Sequence, residues 1–160
     1  MIKCVFEDGD VAKPHLRHVV IDALVLKADK ILLVKRTKKL LEGGKWGLIG
    51  GFMSEGENLK QTLEREIFEE TGYRVKDLQL LTIIDNPNRK GEDRQNVSFV
   101  FICQAGEKEG SSDWEVTEQK WFSFNNLPKV TEIAFDHFFF IQLYLQYKKE
   151  KLTLPILNFK

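Results

Sequence analysis

A chain of 160 residues, 42% apolar and 30% charged, is long enough to bury a real core without staples and has the make-up of an ordinary globular protein. Lys+Arg and Asp+Glu both number 24, so no global field favours nucleic acid or an anionic membrane, and neither is expected as a partner. Cys4 and Cys103 make no disulfide framework or zinc site, the N-terminus lacks a signal-peptide core, and no apolar run approaches the ~20 residues that span a bilayer, so a cytoplasmic location is expected.

In chain order, residues 1–17 read as an N-terminal arm or short hairpin, with Gly9 and Pro14 among mixed charges. From His18 the text becomes strand: HVVIDALVL is β-branched and apolar, with the single acid Asp22. A tight turn at 28–30 leads into ILLVKR, which predicts an antiparallel hairpin. A basic loop over 37–45 precedes a short run at 46–49, and residues 50–56 read as a glycine-rich loop. Residues 58–71 are helical by pattern, with Leu59, Leu63 and Ile67 at four-residue spacing and Gly72 as a C-cap. Further strands are expected in LQLLTII, NVSFVFICQA and EQKWFSF, and a last helix over about 131–150 with Ile133, Phe138, Ile141 and Leu145 on one side. Residues 151–160 read as an extended packing tail. Strands, helix, strands, helix make an α/β chain, one domain over 1–160 with a mixed sheet between helices.

One stretch, residues 50–73, concentrates the chemistry. Glu66, Glu69 and Glu70 fall at i, i+3 and i+4, so they share a helix face beside the apolar stripe. Like charges at that spacing disfavour the helix by about 0.2–0.5 kcal/mol per pair, and desolvating them unpaired costs more. A bound Mg²⁺ or Mn²⁺ removes both penalties. A solvated acidic face with Lys and Arg partners explains the same spacing equally well.

The whole spaced pattern breaks that tie. Gly51, Glu57, Arg65-Glu66-Ile67, Glu69-Glu70 and Gly72-Tyr73 stand at the intervals of the Nudix box, so the chain resembles the Nudix hydrolases over most of residues 18–148. Trp46-Gly47 ahead of the box, and 118–122 before Leu127-Pro128, fit as well. Two departures are Tyr73, where an aliphatic residue is usual, and Ile49, where many relatives have proline. The resemblance implies an α/β/α sandwich and metal-dependent hydrolysis of a nucleoside diphosphate linked to another moiety. By position, Glu66, Glu69 and Glu70 would bind Mg²⁺ (or Mn²⁺) with a carbonyl of Gly50 or Gly51. Arg65 would orient the glutamates, and Glu57 would hold Arg65 or the loop. Glu66 and Glu70 are carried as catalytic, and Glu115, with Glu118 as second candidate, as the acid that relatives add from a later loop.

The substrate is expected from residues 85–94. Pro87 lies fifteen residues past Gly72, similar to the ADP-ribose pyrophosphatases, and Arg89 and Arg94 suit phosphate oxygens. A plain polar hairpin loop is the competing explanation. The expected reaction is ADP-ribose to AMP and ribose 5-phosphate. The alternatives are a nucleoside triphosphate pyrophosphatase acting on oxidised nucleotides, or a non-catalytic ADP-ribose-binding sensor. Members of the family commonly dimerise, so a homodimer is a further expectation.

Overall fold

The computed structural model describes residues 17–89 and 95–157. The N-terminal arm up to residue 16, Cys4, and the loop residues 90–94, including Arg94, lie outside the described residues. No helix among the described residues is long and apolar enough to cross a membrane.

The expected hairpin forms from β1 (Val19–Lys27) and β2 (Lys30–Arg36), with Lys27 opposite Lys30. Two short strands follow, β3 (Trp46–Gly47) and β4 (Ile49–Phe52), then α1 (Leu59–Thr71), β5 (Tyr73–Ile84), β6 (Val97–Lys108), β7 (Val116–Ser123), a 3₁₀ turn at Val130–Glu132, and α2 (His137–Glu150). The seven strands form one mixed sheet. β1 is its centre: one edge pairs antiparallel with β2 and then β4, and the other pairs parallel with β6 from Val19 to Leu26. β5 closes the sheet beyond β6, while β3 and β7 flank β2.

The sheet separates two apolar layers because alternate side chains of a strand point to opposite faces. Ile21, Ala23 and Val25 of β1, with Leu32 and Val34 of β2, pack against Leu63 and Ile67 of α1. Leu24 and Leu26, with Ile31 and Leu33, pack against Phe140, Ile141 and Tyr144 of α2. The result is the α/β/α sandwich that the resemblance implied.

Two expectations are corrected. Gly50-Gly51 are not in a loop: they belong to β4, opposite Asp22 and Ile21 of β1. Glycine disfavours strands in isolation, and here the pairing with a buried central strand overrides that preference. The last helix starts at His137, not near 131. Phe135, at φ +52°, breaks the chain just before it, so Ile133 is buried through a bridge to Trp46 and not on the helix face. The buried face of α2 is His137, Phe140, Ile141 and Tyr144, an i, i+3, i+4, i+7 stripe that leaves Leu145 exposed.

Candidate active site

Local capping fixes where α1 begins and ends. The Asn58 side chain accepts from Gln61 N at 3.0 Å, and the Gln61 side chain accepts from Asn58 N at 2.9 Å, a reciprocal capping box. At the other end Gly72, at φ +75°, donates from its N–H to Phe68 O at 2.7 Å. Glycine is needed there twice over, for the left-handed conformation and because a Cβ would land on the backbone of Gly110. The Gly72 carbonyl accepts from Glu109 N and Gly110 N, and Asp113 N donates to Glu69 O at 2.9 Å. The end of α1 thus docks the loop 109–115 and brings Glu115 to the box acids.

Arg65 ties that acid group together. Its Nε and Nη2 meet the two Glu57 oxygens at 2.6 and 2.9 Å, and Nη1 reaches Glu66 at 2.7 Å and Glu69 at 3.0 Å. Its Nη2 also donates to Phe52 O at 3.1 Å. Glu57 accepts in addition from Ser54 N and the Thr62 hydroxyl. The Arg65 fork, joined by these donors, holds the Glu57 carboxyl at about 2. Glu57 therefore anchors the arginine that aligns the other acids.

The remaining acids are pushed the opposite way. Burial raises Glu66 against the pull of Arg65. Burial lifts Glu70 well above the carboxylate range, and Glu66, Asp113 and Glu115 add repulsion that Arg36 opposes. Burial and then Asp113 raise Glu115. Glu70 is buried with its Oε2 lacking any hydrogen-bond partner. Glu118 instead lies half-exposed on β7 facing Lys35 at 3.8 Å, away from this group.

This donor set fits a hard divalent cation: it is all oxygen, electrically crowded, and contains an orphaned buried oxygen. Among the described residues, no three acids, imidazoles or thiols already converge as a closed cage. Gly51 packs directly against Glu66, since a Cβ there would overlap the Glu66 carboxylate. We expect Gly51→Ala, whose backbone needs no unusual φ, to lower kcat by about 100-fold by displacing that carboxylate, with the melting temperature little changed. Steady-state kinetics and a circular-dichroism melt check both halves.

Beside the acids lies an open cleft lined by Gly50, Gly51 and Phe52 of β4, Arg36 at the end of β2, and Asn96, Phe135 and His137. Burial lowers the Arg36 guanidinium, while Glu70 and Glu115 are the largest influences raising it. Arg36 thus links the cleft to the acid group.

Under the cleft is a buried polar network that connects β1, β6 and α2. Asp22 accepts from the Ser98 hydroxyl, and His137 Nε2 faces its Oδ1 at 3.3 Å. His137 Nδ1 accepts from Leu48 N at 2.9 Å. Burial raises the Asp22 carboxyl, but His137, Arg89 and Ser98 more than offset this and hold it below the ordinary value. Arg89, expected to grip phosphate, is buried and forks Asp136 instead, with Nε–Oδ2 at 2.8 Å and Nη2–Oδ1 at 2.6 Å. Arg89 lines the cleft, and the anion in its fork is Asp136, just before α2.

The sequence did not single out Arg36. Asn96 and Ser98 stood in it only as part of the loop-and-strand pattern that follows residue 85. His137 read as a hydrogen-bonded structural residue, and Asp22, a lone acid in a central apolar strand, had no role. Of Trp46, Phe52 and Tyr73, the aromatics that could stack on a base, only Phe52 lines the cleft. Trp46 packs edge-on against Phe122, and Tyr73 against Trp121. Cys103 is buried, and burial pushes its thiol to about 12, which makes it inert.

The glutamate-rich end of α1 meets the acidic loop 109–115 beside the cleft, and this all-oxygen donor set fits a divalent cation. The chain belongs to the NUDIX domain family, whose model matches residues 16–144. It is similar to the ADP-ribose pyrophosphatase of Methanocaldococcus jannaschii, 36% identical over 130 residues that cover 81% of this chain and 74% of that protein. A solved NUDIX hydrolase from Nitrosomonas europaea shares the fold with a TM-score of 0.80 over 97% of this chain and 85% of its own, at 22% identity. The NUDIX domain of Shewanella oneidensis NrtR, solved in complex with ADP ribose, matches at 26% identity and a TM-score of 0.67, covering 86% of this chain and 90% of its own. The protein is a pyrophosphohydrolase of this family, whose members generally work with divalent metal ions.

Proposed function

We propose that the protein hydrolyses ADP-ribose to AMP and ribose 5-phosphate with Mg²⁺. The observation that carries the chemistry is the acid group around the orphaned Glu70 oxygen, which Arg36 and Gly51 join to the neighbouring cleft. The likeness to an ADP-ribose pyrophosphatase over most of both chains supports the substrate.

Glu66, Glu69, Glu70 and the Gly51 carbonyl are the groups that would hold Mg²⁺. When bound, the cation neutralises the diphosphate and acidifies a water. Arg65 keeps Glu66 and Glu69 in register through one guanidinium nitrogen. Arg36 adds a fixed positive charge where the diphosphate leaves the cleft. Glu115, which faces the box acids from the opposite loop, takes the proton of the attacking water. Its raised carboxyl is the better base for it. Water adds to one phosphorus, the bridging P–O bond breaks, and the bridging oxygen leaves with the other phosphate.

A panel of ADP-ribose, oxidised dGTP, dinucleoside polyphosphates and NADH, assayed with Mg²⁺ by product chromatography, tests this. We expect ADP-ribose to have the highest kcat/KM and to yield AMP. Faster release of inorganic pyrophosphate from the triphosphate would replace this reading, and tight ADP-ribose binding without turnover of any substrate would make the protein a sensor.

A further inference from the structure

Among the described residues under the cleft, Asp22, Ser98 and His137 satisfy one another. Asp22 uses one oxygen on Ser98 and the other on His137, and His137 uses its second nitrogen on Leu48 N. Asn96 lines the same cleft, is 5% exposed, and its Oδ1 is buried without any hydrogen-bond partner. A buried acceptor left unpaired costs about 1–3 kcal/mol, so its place at a ligand cleft points to a donor that arrives with the ligand.

The backbone around Asn96 is fixed. Arg17 donates to Gln95 O at 2.7 Å and to Asn96 O at 3.0 Å, and Val97 N donates to His18 O at 2.8 Å. The rest of the lining is mixed: Leu40, Leu41, Phe52 and Phe135 are apolar, with Leu41 43% and Phe52 41% exposed at the mouth, while Asp22, Arg36, Arg89 and His137 are polar. The rings of Phe52 and Phe135 offer flat faces to a planar heterocycle, and the arginines suit the phosphate attached to it.

We infer that Asn96 selects the base of the substrate: its Oδ1 accepts a hydrogen bond from the exocyclic amine of an adenine seated in this cleft, with the diphosphate running past Arg36 to the box acids. Asparagine can serve adenine in two ways, accepting from the amine and donating to a ring nitrogen. A base with an oxo group in place of the amine sets two acceptors against each other. The inference rests on the nucleoside diphosphate reading above and names the residue that makes it adenine-specific.

The test is equilibrium binding of AMP and IMP, which differ in that amine and in the proton on the neighbouring ring nitrogen, to the full chain with Mg²⁺ by titration calorimetry. Neither has a diphosphate to cleave. We expect AMP to bind about 10- to 100-fold more tightly than IMP, as one well-made base contact allows. Asn96→Leu should lower AMP affinity to that of IMP and leave IMP unchanged. Asn96→Asp, which keeps the acceptor, should retain the preference for AMP. Equal binding of the two by the native chain, no detectable binding of either, or a preference that survives in Asn96→Leu overturns the inference. If Asn96→Leu fails to fold, the native ratio and Asn96→Asp decide. A chain that prefers AMP yet does not hydrolyse ADP-ribose would sink the substrate reading and leave Asn96 as the base selector.

Discussion

Glu70→Gln is expected to abolish turnover and at the same time to raise the melting temperature of the metal-free protein near neutral pH. Glu70 is buried at the end of α1 with an orphaned oxygen, and burial together with Glu66, Asp113 and Glu115 lifts its carboxyl well above the usual range. A folded-state value above the unfolded one favours the protonated acid. Its contribution is complete below the ordinary value of 4.5 and is lost as pH rises through the raised value. Metal-free wild type should therefore lose stability along that rise, Glu66 and Glu115 acting in the same direction. The neutral amide removes the ionisation and flattens the profile. Relieving a charge of this kind is worth about 1–3 kcal/mol, or about 3–10 °C in a chain of this size. Added Mg²⁺ should raise the melting temperature of wild type more than that of the variant. Activity should fall at least about 100-fold. Thermal melts across pH, with and without Mg²⁺, beside kinetics on the same preparations, check this. A variant no more stable than wild type at neutral pH without metal would mean that Glu70 is not strained.

Arg89→Ala is expected to act first on the fold. The Arg89 side chain is 4% exposed and forks Asp136, whose side chain is 23% exposed, while its charge also helps hold Asp22 ionised. Truncation leaves two carboxylates without that cation. Breaking a buried pair costs about 3–5 kcal/mol, and the partial exposure of Asp136 places this case near the lower figure, or about 6–12 °C. The sign with pH follows from Asp22. Its depressed carboxyl stabilises the fold above the ordinary value, and this is lost as pH falls. Acid unfolding of the variant should therefore begin at higher pH. Arg89→Lys should recover little, since an ammonium cannot reproduce the planar fork. A variant that melts with wild type and differs only in KM for ADP-ribose would return Arg89 to the phosphate.

These two residues also show what the sequence carries. The acids of α1 were legible because their signals are local: a four-residue stripe, a terminal Gly72, and fixed spacing among Arg65, Glu66, Glu69 and Glu70. β1 and β2 announced themselves by composition and a tight turn. Residues 50–52 did not, because a double glycine becomes a strand only through the partner that pairs with it. The start of α2 was misplaced because Ile133 is buried by Trp46 and not by helical periodicity. Arg89 was recognised as a residue that binds an anion, but Asp136 lies 47 positions further on, and spacing cannot join them. Asp22, Ser98 and His137 come from three distant segments, so their network exists only after folding.

The sheet sorts these parts into two compartments. Odd-numbered residues of β1 look toward α1 and the glutamates; even-numbered ones look toward α2 and the floor of the cleft. Outside Arg36 and Gly51, which touch both compartments, mutational change on one side meets few shared neighbours on the other, and distant sites combine nearly additively. Such a partition lets evolution retune which nucleotide is accepted while the bond-breaking apparatus stays untouched. A designer wanting a new specificity in this chain should rewrite the α2 side and leave α1 alone.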